Sequence, residues 1–263
     1  MNAFMYILIF TFGIVFGSFF NVVIYRLPEG KSIVTPRSSC GKCGTTLSMK
    51  DLVPIFSYIF LKGKCRYCSS KIHIRYPLVE LLTGLVFVVL YAKYDLSIEF
   101  LFTLYLMCIL IIVFFIDLDH MIIPNELVIA GLIGGVVFFV LRFWYNDTLL
   151  DGARWYSPIL GMVVTSGFLL LVAIIGKLIY GGDAFGMGDV KIFLPIGLIL
   201  GLKLGIMALV FSIFVGGISG LILIITRKKE RKSQIPFGPF IVIGSFLSIL
   251  FGHGFLSWYI GLL

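Results

Sequence analysis

About eight stretches of this chain run far enough with few or no charged side chains to approach the thickness of a bilayer. No other feature limits the fold so severely. They fall at residues 3–25, 77–92, 98–116, 126–143, 156–179, 190–202, 205–226 and 235–263. In hydrocarbon every backbone N–H and C=O must find its partner within the protein, which makes each stretch a helix. The sixth is short and glycine-rich, so its boundary with the seventh is the least defined. A soluble domain that is 60% hydrophobic and 13% charged, with a mean hydropathy of +1.10, would expose too much apolar surface. The expectation is an all-α polytopic membrane protein of about eight transmembrane helices. One small extramembrane module, 26–76, separates the first helix (1–25) from the remaining membrane part (77–263).

Charge sets the orientation. No Lys or Arg precedes the first apolar run, which is also too long for a cleaved signal peptide; the first basic residue is Arg26. The N-terminus is therefore expected outside, and with eight spans the C-terminus as well. Segments 26–76, 117–125, 176–189 and 227–233 then face the cytosol. With Lys191 just beyond the third of them, they carry 17 of the 21 Lys and Arg residues, against Lys93, Arg142, Arg154 and Lys203 on the other face. The net charge of +8 is thus read as a topology signal and a contact with anionic lipid, with no need of nucleic acid. The run Arg227-Lys228-Lys229-Glu230-Arg231-Lys232 is a stop-transfer loop on this reading.

Four of the five cysteines make two CxxC pairs, Cys40/Cys43 and Cys65/Cys68. Each pair offers two thiolates at one corner of a tetrahedron, and two pairs close the shell, as in structural zinc sites. A cytosolic location disfavours the alternative of two disulfides. A segment this small also lacks a core that would hold it together without a metal. His73 is not needed as a ligand, and Cys108 reads as a small buried apolar residue. The apolar run 51–61 is too short to span; it is expected to pack the module onto the membrane surface.

Two carboxylates stand at the edges of apolar stretches, where ionised groups cost several kcal/mol and default to a functional role. Asp117 ends the third span and precedes Ile123-Pro124-Asn125; Glu126 follows in the first turn of the fourth. Asp189 closes Gly186-Met187-Gly188-Asp189 after a glycine-rich run that includes Asp183, and opens the sixth helix beside Lys191. If the two meet, like charges at close range make the pair share one proton. One carboxylate can then take a proton from water while the other polarises a carbonyl, which is aspartic-protease chemistry. From these residues alone, helix caps or interfacial charges explain both aspartates equally well. Asp119 reads as a surface charge at a helix end and Asp183 as a turn residue.

Several stretches taken together resemble the type IV prepilin peptidase family, membrane aspartic proteases of the GxGD type. They are Gly17-Ser18 with Asn21 and Arg26-Leu27-Pro28, and the double CxxC segment with Asp51-Leu52-Val53-Pro54 inside it, running on to Glu80 and Gly84. Asp117 with Ile123-Pro124, Gly186-Met187-Gly188-Asp189-Val190-Lys191, and Ile235-Pro236-Phe237-Gly238-Pro239-Phe240 complete the set. The resemblance covers nearly the whole chain in order. One departure is Asn125, where many relatives carry Asp; no loss of activity is expected from it.

The resemblance implies removal of the leader peptide from type IV prepilins or type II secretion pseudopilins, at the cytosolic face of a bacterial inner membrane. It makes Asp117 and Asp189 the catalytic pair and 77–263 the peptidase core. Gly186, Gly188, Lys191, Pro236 and Gly238 would shape the cleft or meet the substrate. It also implies N-methylation of the new N-terminus with S-adenosylmethionine, an activity linked to the cysteine module. Glu80 is the one candidate for the methyl-donor site, equally readable as a charge near a helix start. Gly17 and Ser18 are read first as small residues for close helix packing. Two rival readings remain: an ion-coupled transporter using Asp117 and Asp189, and a membrane-anchored zinc adaptor.

Overall fold

The computed structural model describes residues 3–145, 155–180, 186–226 and 235–262. Asp183 and most of its glycine-rich run, Arg154, and the basic run 227–232 lie outside the described residues. Among those described the regular structure is helical, with two isolated β-bridges and no strand. The chain forms two compact units, Met1–Leu96 and Ser97–Leu263.

The first unit holds α1 (Ala3–Arg26), the short α2 (Phe56–Phe60) and α3 (Arg75–Tyr94). Small residues let α1 and α3 approach at backbone distance. A Cβ placed on Gly13 would lie 2.7 Å from Gly84 Cα, and one on Gly17 would lie 2.7 Å from Glu80 Cα. Gly17 therefore serves close packing. One turn further along, Asn21 Nδ2 donates to Tyr76 O (3.0 Å), fixing the register of the pair. Arg26 Nη1 and Nη2 donate to Ser32 O and Pro36 O, folding the chain back where α1 ends.

The second unit holds α4 (Ile98–His120), α5 (Asn125–Tyr145), α6 (Ser157–Tyr180), α7 (Met187–Ile225) and α8 (Gly238–Ile260). Helix α4 starts on a Ser97 cap, whose Oγ accepts from Phe100 N. It runs one turn past Asp117 and stops at Met121, whose left-handed backbone directs its N–H to Asp117 O. Pro124 precedes α5, and Glu126 lies in its first turn, as expected from sequence.

The sixth and seventh expected spans follow one another without a loop as α7, two helices that meet at Gly201 (φ 77°, ψ −176°). A Cβ on Gly205 would lie 3.5 Å from Gly197 Cα, whereas in an unbroken helix those residues are about 12 Å apart. The chain folds back on itself there. Ser157 Oγ accepts the Leu202 N–H that the break releases (2.9 Å). Gly161 of α6 packs backbone to backbone against Gly197 and Gly201.

Six of the described helices are long and apolar enough to cross a membrane: α1, α3, α4, α6, α7 and α8. Helix α5 is also apolar, and its side chains are described over Asn125–Leu141. The fold class is thus the expected all-helical membrane protein.

Candidate active site and metal centre

The four cysteine sulfurs of the first unit lie within 4.8 Å of one another. Cys40 Sγ and Cys68 Sγ are 3.9 Å apart. A tetrahedral zinc–thiolate centre needs sulfurs about 3.8 Å apart, so the donor set fits a four-coordinate ion.

The two halves are built alike. In the first, Cys40 N donates to Thr45 O and Gly44 N returns to Cys40 O; in the second, Cys65 N donates to Ser70 O and Ser69 N returns to Cys65 O. The residue after each second cysteine has positive φ, at Gly44 (69°) and Ser69 (57°). Bridges Ser39–Thr46 and Lys64–Lys71 close each turn. Backbone N–H groups of Cys43 and Lys42 lower the Cys40 thiol to about 6, and the Ser70 hydroxyl and N–H lower Cys68. Both therefore favour the thiolate that a metal requires.

Asp51 joins this module together. Its Oδ1 accepts from Arg66 Nε (2.6 Å), and its Oδ2 accepts from Tyr67 Oη, Ser48 Oγ and Ser48 N. Arg66 and Tyr67 are the two residues between Cys65 and Cys68, so Asp51 holds the second turn from outside the metal shell. The Arg66 guanidinium, and then the Ser48 hydroxyl, keep its carboxyl well below the usual carboxylate range. Sequence reading passed over this role, although a serine three residues before an aspartate is a capping signal.

Glu80 lies six residues into α3, beyond its first turn, and is 8% exposed. Its Oε2 accepts the Ile55 N–H at 2.7 Å. Ile55 is the centre of a tight turn: Phe56 N donates to Pro54 O, with Ile55 at φ 61°, ψ −53°. That is a γ-turn of the strained hand, unusual for a β-branched residue. The Glu80 carboxylate is spent on holding it.

The second unit brings the two aspartates together. Asp117, 5% exposed, sits in the last turns of α4; Asp189, 9% exposed, sits in the first turn of α7. Gly188, next to Asp189, packs on Ile123 in the turn that follows α4. Asp117 Oδ2 accepts the Gly238 N–H at the start of α8 (2.8 Å).

Three glycines clear the space. A Cβ on Gly238 would lie 2.7 Å from Asp117 Oδ2, and one on Gly186 would lie 2.9 Å from Asp189 Oδ2. A Cβ on Gly188 would lie 3.0 Å from Ile123 Cβ, so that glycine admits the turn after α4. Lys191 Nζ donates to Asn125 Oδ1 (3.1 Å), tying the start of α7 to the start of α5. Asp119 is exposed, as expected of a helix-end charge.

Beside Asp117 opens an apolar cleft of about 510 Å³. Leu118 and Met121 line it from α4, Ile222 and Leu223 from α7, and Pro236 and Phe240 from the start of α8. Of the expected cleft residues, Pro236 lines this space, Gly186 and Gly238 lie against the carboxylates, Gly188 packs on Ile123 and Lys191 bonds Asn125. The lining by Leu118, Met121 and Phe240 went unread, because apolar residues in an apolar chain carry no contrast.

Residues 11–94 match the Bacterial Peptidase A24 N-terminal domain, and residues 104–221 match the Type IV leader peptidase family. The first match contains the four cysteines and the second contains both aspartates. A protein of Bacillus subtilis (strain 168) named prepilin leader peptidase/N-methyltransferase is 36% identical over 254 residues, covering 96% of this chain and 97% of that protein. Proteins with the same name from Aeromonas salmonicida (strain A449) and Neisseria gonorrhoeae are each 33% identical. They cover 96% and 89% of this chain, and 93% and 86% of their own lengths. No solved structure matches at a significant level.

Proposed function

The chain belongs to the type IV leader peptidase family, and on that premise we propose that it is a prepilin peptidase working through Asp117 and Asp189. Its substrates are type IV prepilins or type II secretion pseudopilins, cut at the cytosolic face of the bacterial inner membrane. The observation that carries this reading is the pairing itself. Two buried carboxylates, one near the end of α4 and one opening α7, each lie against a glycine, Gly238 and Gly186, that leaves them room.

One carboxylate takes a proton from a water molecule, whose oxygen then attacks the scissile carbonyl carbon. The other gives its proton to the carbonyl oxygen. The tetrahedral intermediate collapses with cleavage of the C–N bond, and the proton taken from water passes to the leaving amine. The Gly238 N–H fixes one oxygen of Asp117, and the other would act on the water. The apolar cleft lined by Leu118, Met121 and Pro236 suits apolar substrate side chains beside the cut.

Cys40, Cys43, Cys65 and Cys68 would hold a zinc ion, which cross-links the module in place of a hydrophobic core. The relatives' names also carry N-methyltransferase, and the same activity is proposed here, with S-adenosylmethionine donating a methyl group to the new N-terminal amine. No residue is assigned to that donor: Glu80, the one acidic candidate, is occupied by Ile55.

The test is leader loss, followed by mass, from a membrane-inserted prepilin. Asp117→Asn and Asp189→Asn should each lower cleavage by about 10³-fold or more with helix content unchanged. Full cleavage by either variant would remove the dyad. Proton or cation flux without cleavage would favour transport instead.

A further inference from the structure

The geometry points to segment 49–60 as an interfacial anchor that beds the cysteine module into an anionic lipid leaflet, independently of the peptidase reading. Depth is the first argument. Tyr25 and Tyr76, 58% and 44% exposed, lie at the same end of the α1–α3 pair, where aromatic side chains mark a membrane–water boundary. Glu80 is one turn, about 6 Å, further into α3. Helical side chains lean back toward the N-terminus, so its carboxylate returns toward the level of Tyr76. Ile55 meets that carboxylate at 2.7 Å. The strained turn at Ile55 is therefore held at the depth of the boundary itself, not out in the surrounding water.

Surface chemistry is the second argument. Around that turn Met49, Val53, Phe56, Ile59 and Phe60 are exposed, Phe60 at 81% and Met49 at 78%. Five large apolar groups in twelve residues have no packing role inside a module built on four thiolates. Lys50, Lys62 and Lys64, all exposed, flank them. Apolar side chains at boundary depth with lysines beside them complement acyl chains under anionic headgroups. A protein partner would not need the patch to lie at the level of the tyrosines. The Glu80–Ile55 bond thus couples a lipid-bedded segment to the spanning helices.

The experiment uses the full chain in vesicles of phosphatidylglycerol and phosphatidylcholine. Trp144, Trp155 and Trp258 are changed to Phe, and Phe60→Trp supplies a single reporter. Its emission should be blue-shifted and roughly halved by lipids brominated high on the acyl chain, a depth of about 5–10 Å. Quenching should weaken when Lys50, Lys62 and Lys64 become Gln or when phosphatidylglycerol is left out. Retained zinc content reports an intact module, and Phe56→Trp gives a second reporter if the first variant does not fold. Water-like emission quenched by acrylamide alone would overturn the proposal. So would blue-shifted emission that lipid does not quench, since protein would then cover the patch.

Discussion

The metal centre and the carboxylate site are assembled in opposite ways. Cys40 and Cys68, the outermost ligands, are 28 positions apart, and local turns aim all four sulfurs at one point. Asp117 and the Gly238 N–H that holds it are 121 positions apart, with Asp189 arriving from a third helix. The first site carries its geometry in its own loops, with four sulfurs placed to share one ion. The second has no local order and borrows its geometry from helix packing. Changes to one should therefore leave the other measurably intact, and four changes test that separation.

The largest effect belongs to the ligands. Cys40→Ser with Cys43→Ser should remove zinc altogether, measured by metal analysis, while α4–α8 keep their helical circular dichroism. Zinc retained at full stoichiometry would break the assignment of the four cysteines. Next comes Gly238→Ala, whose Cβ must push Asp117 or α8 aside. A displacement of that size should cost about 100-fold in leader cleavage, with zinc content unchanged. Cleavage at the wild-type rate would mean that the Gly238 contact does not position the carboxylate.

Asp51→Asn should act on the metal module alone, weakening zinc affinity by about tenfold in a competition titration. Its pH dependence has a definite sign. The folded-state carboxyl of Asp51 titrates below its ordinary value of 3.8, so the stability it contributes is fully present above that value. It is lost as pH falls through the lower, folded value. The thermal advantage of wild type over the Asn variant should hold steady from neutral pH to about 5 and shrink below about 4. An advantage that grew on acidification would contradict the Arg66 pairing.

The smallest effect is expected at Asn125→Asp. It turns the Lys191 hydrogen bond into a partly exposed ion pair, worth about 0–1 kcal/mol. Cleavage should change by less than about fivefold. A large loss would give Lys191 a direct part in the chemistry.

Sequence reading captured what local chemistry encodes. Two CxxC pairs name their metal site without a structure, and Asp117 and Asp189 are conspicuous because charge is costly where they stand. The partners of those carboxylates were less legible. Gly238 stood out as one glycine in a proline-rich run, but its N–H reaches Asp117 only through the packing of α8 on α4. Gly188 makes sense once Ile123 is seen against it. Helix limits erred where termination is decided by backbone geometry: α4 runs on to a left-handed Met121, and α7 begins at Met187, before the expected 190. The doubling back at Gly201 was half visible, since a short glycine-rich stretch blurred two expected spans that the structure joins and folds. Asp51 was hidden because its partners, Arg66 and Tyr67, are ordinary surface residues by type.

The bond between Asp117 and Gly238 also bears on how the protein is made. Synthesis runs from the N-terminus, so α4 and α7 enter the bilayer with both aspartates before residue 238 leaves the ribosome. Through that interval the pair lacks the donor that orients Asp117. The surroundings of Asp117 are thus complete only when α8, the last helix made, is in place.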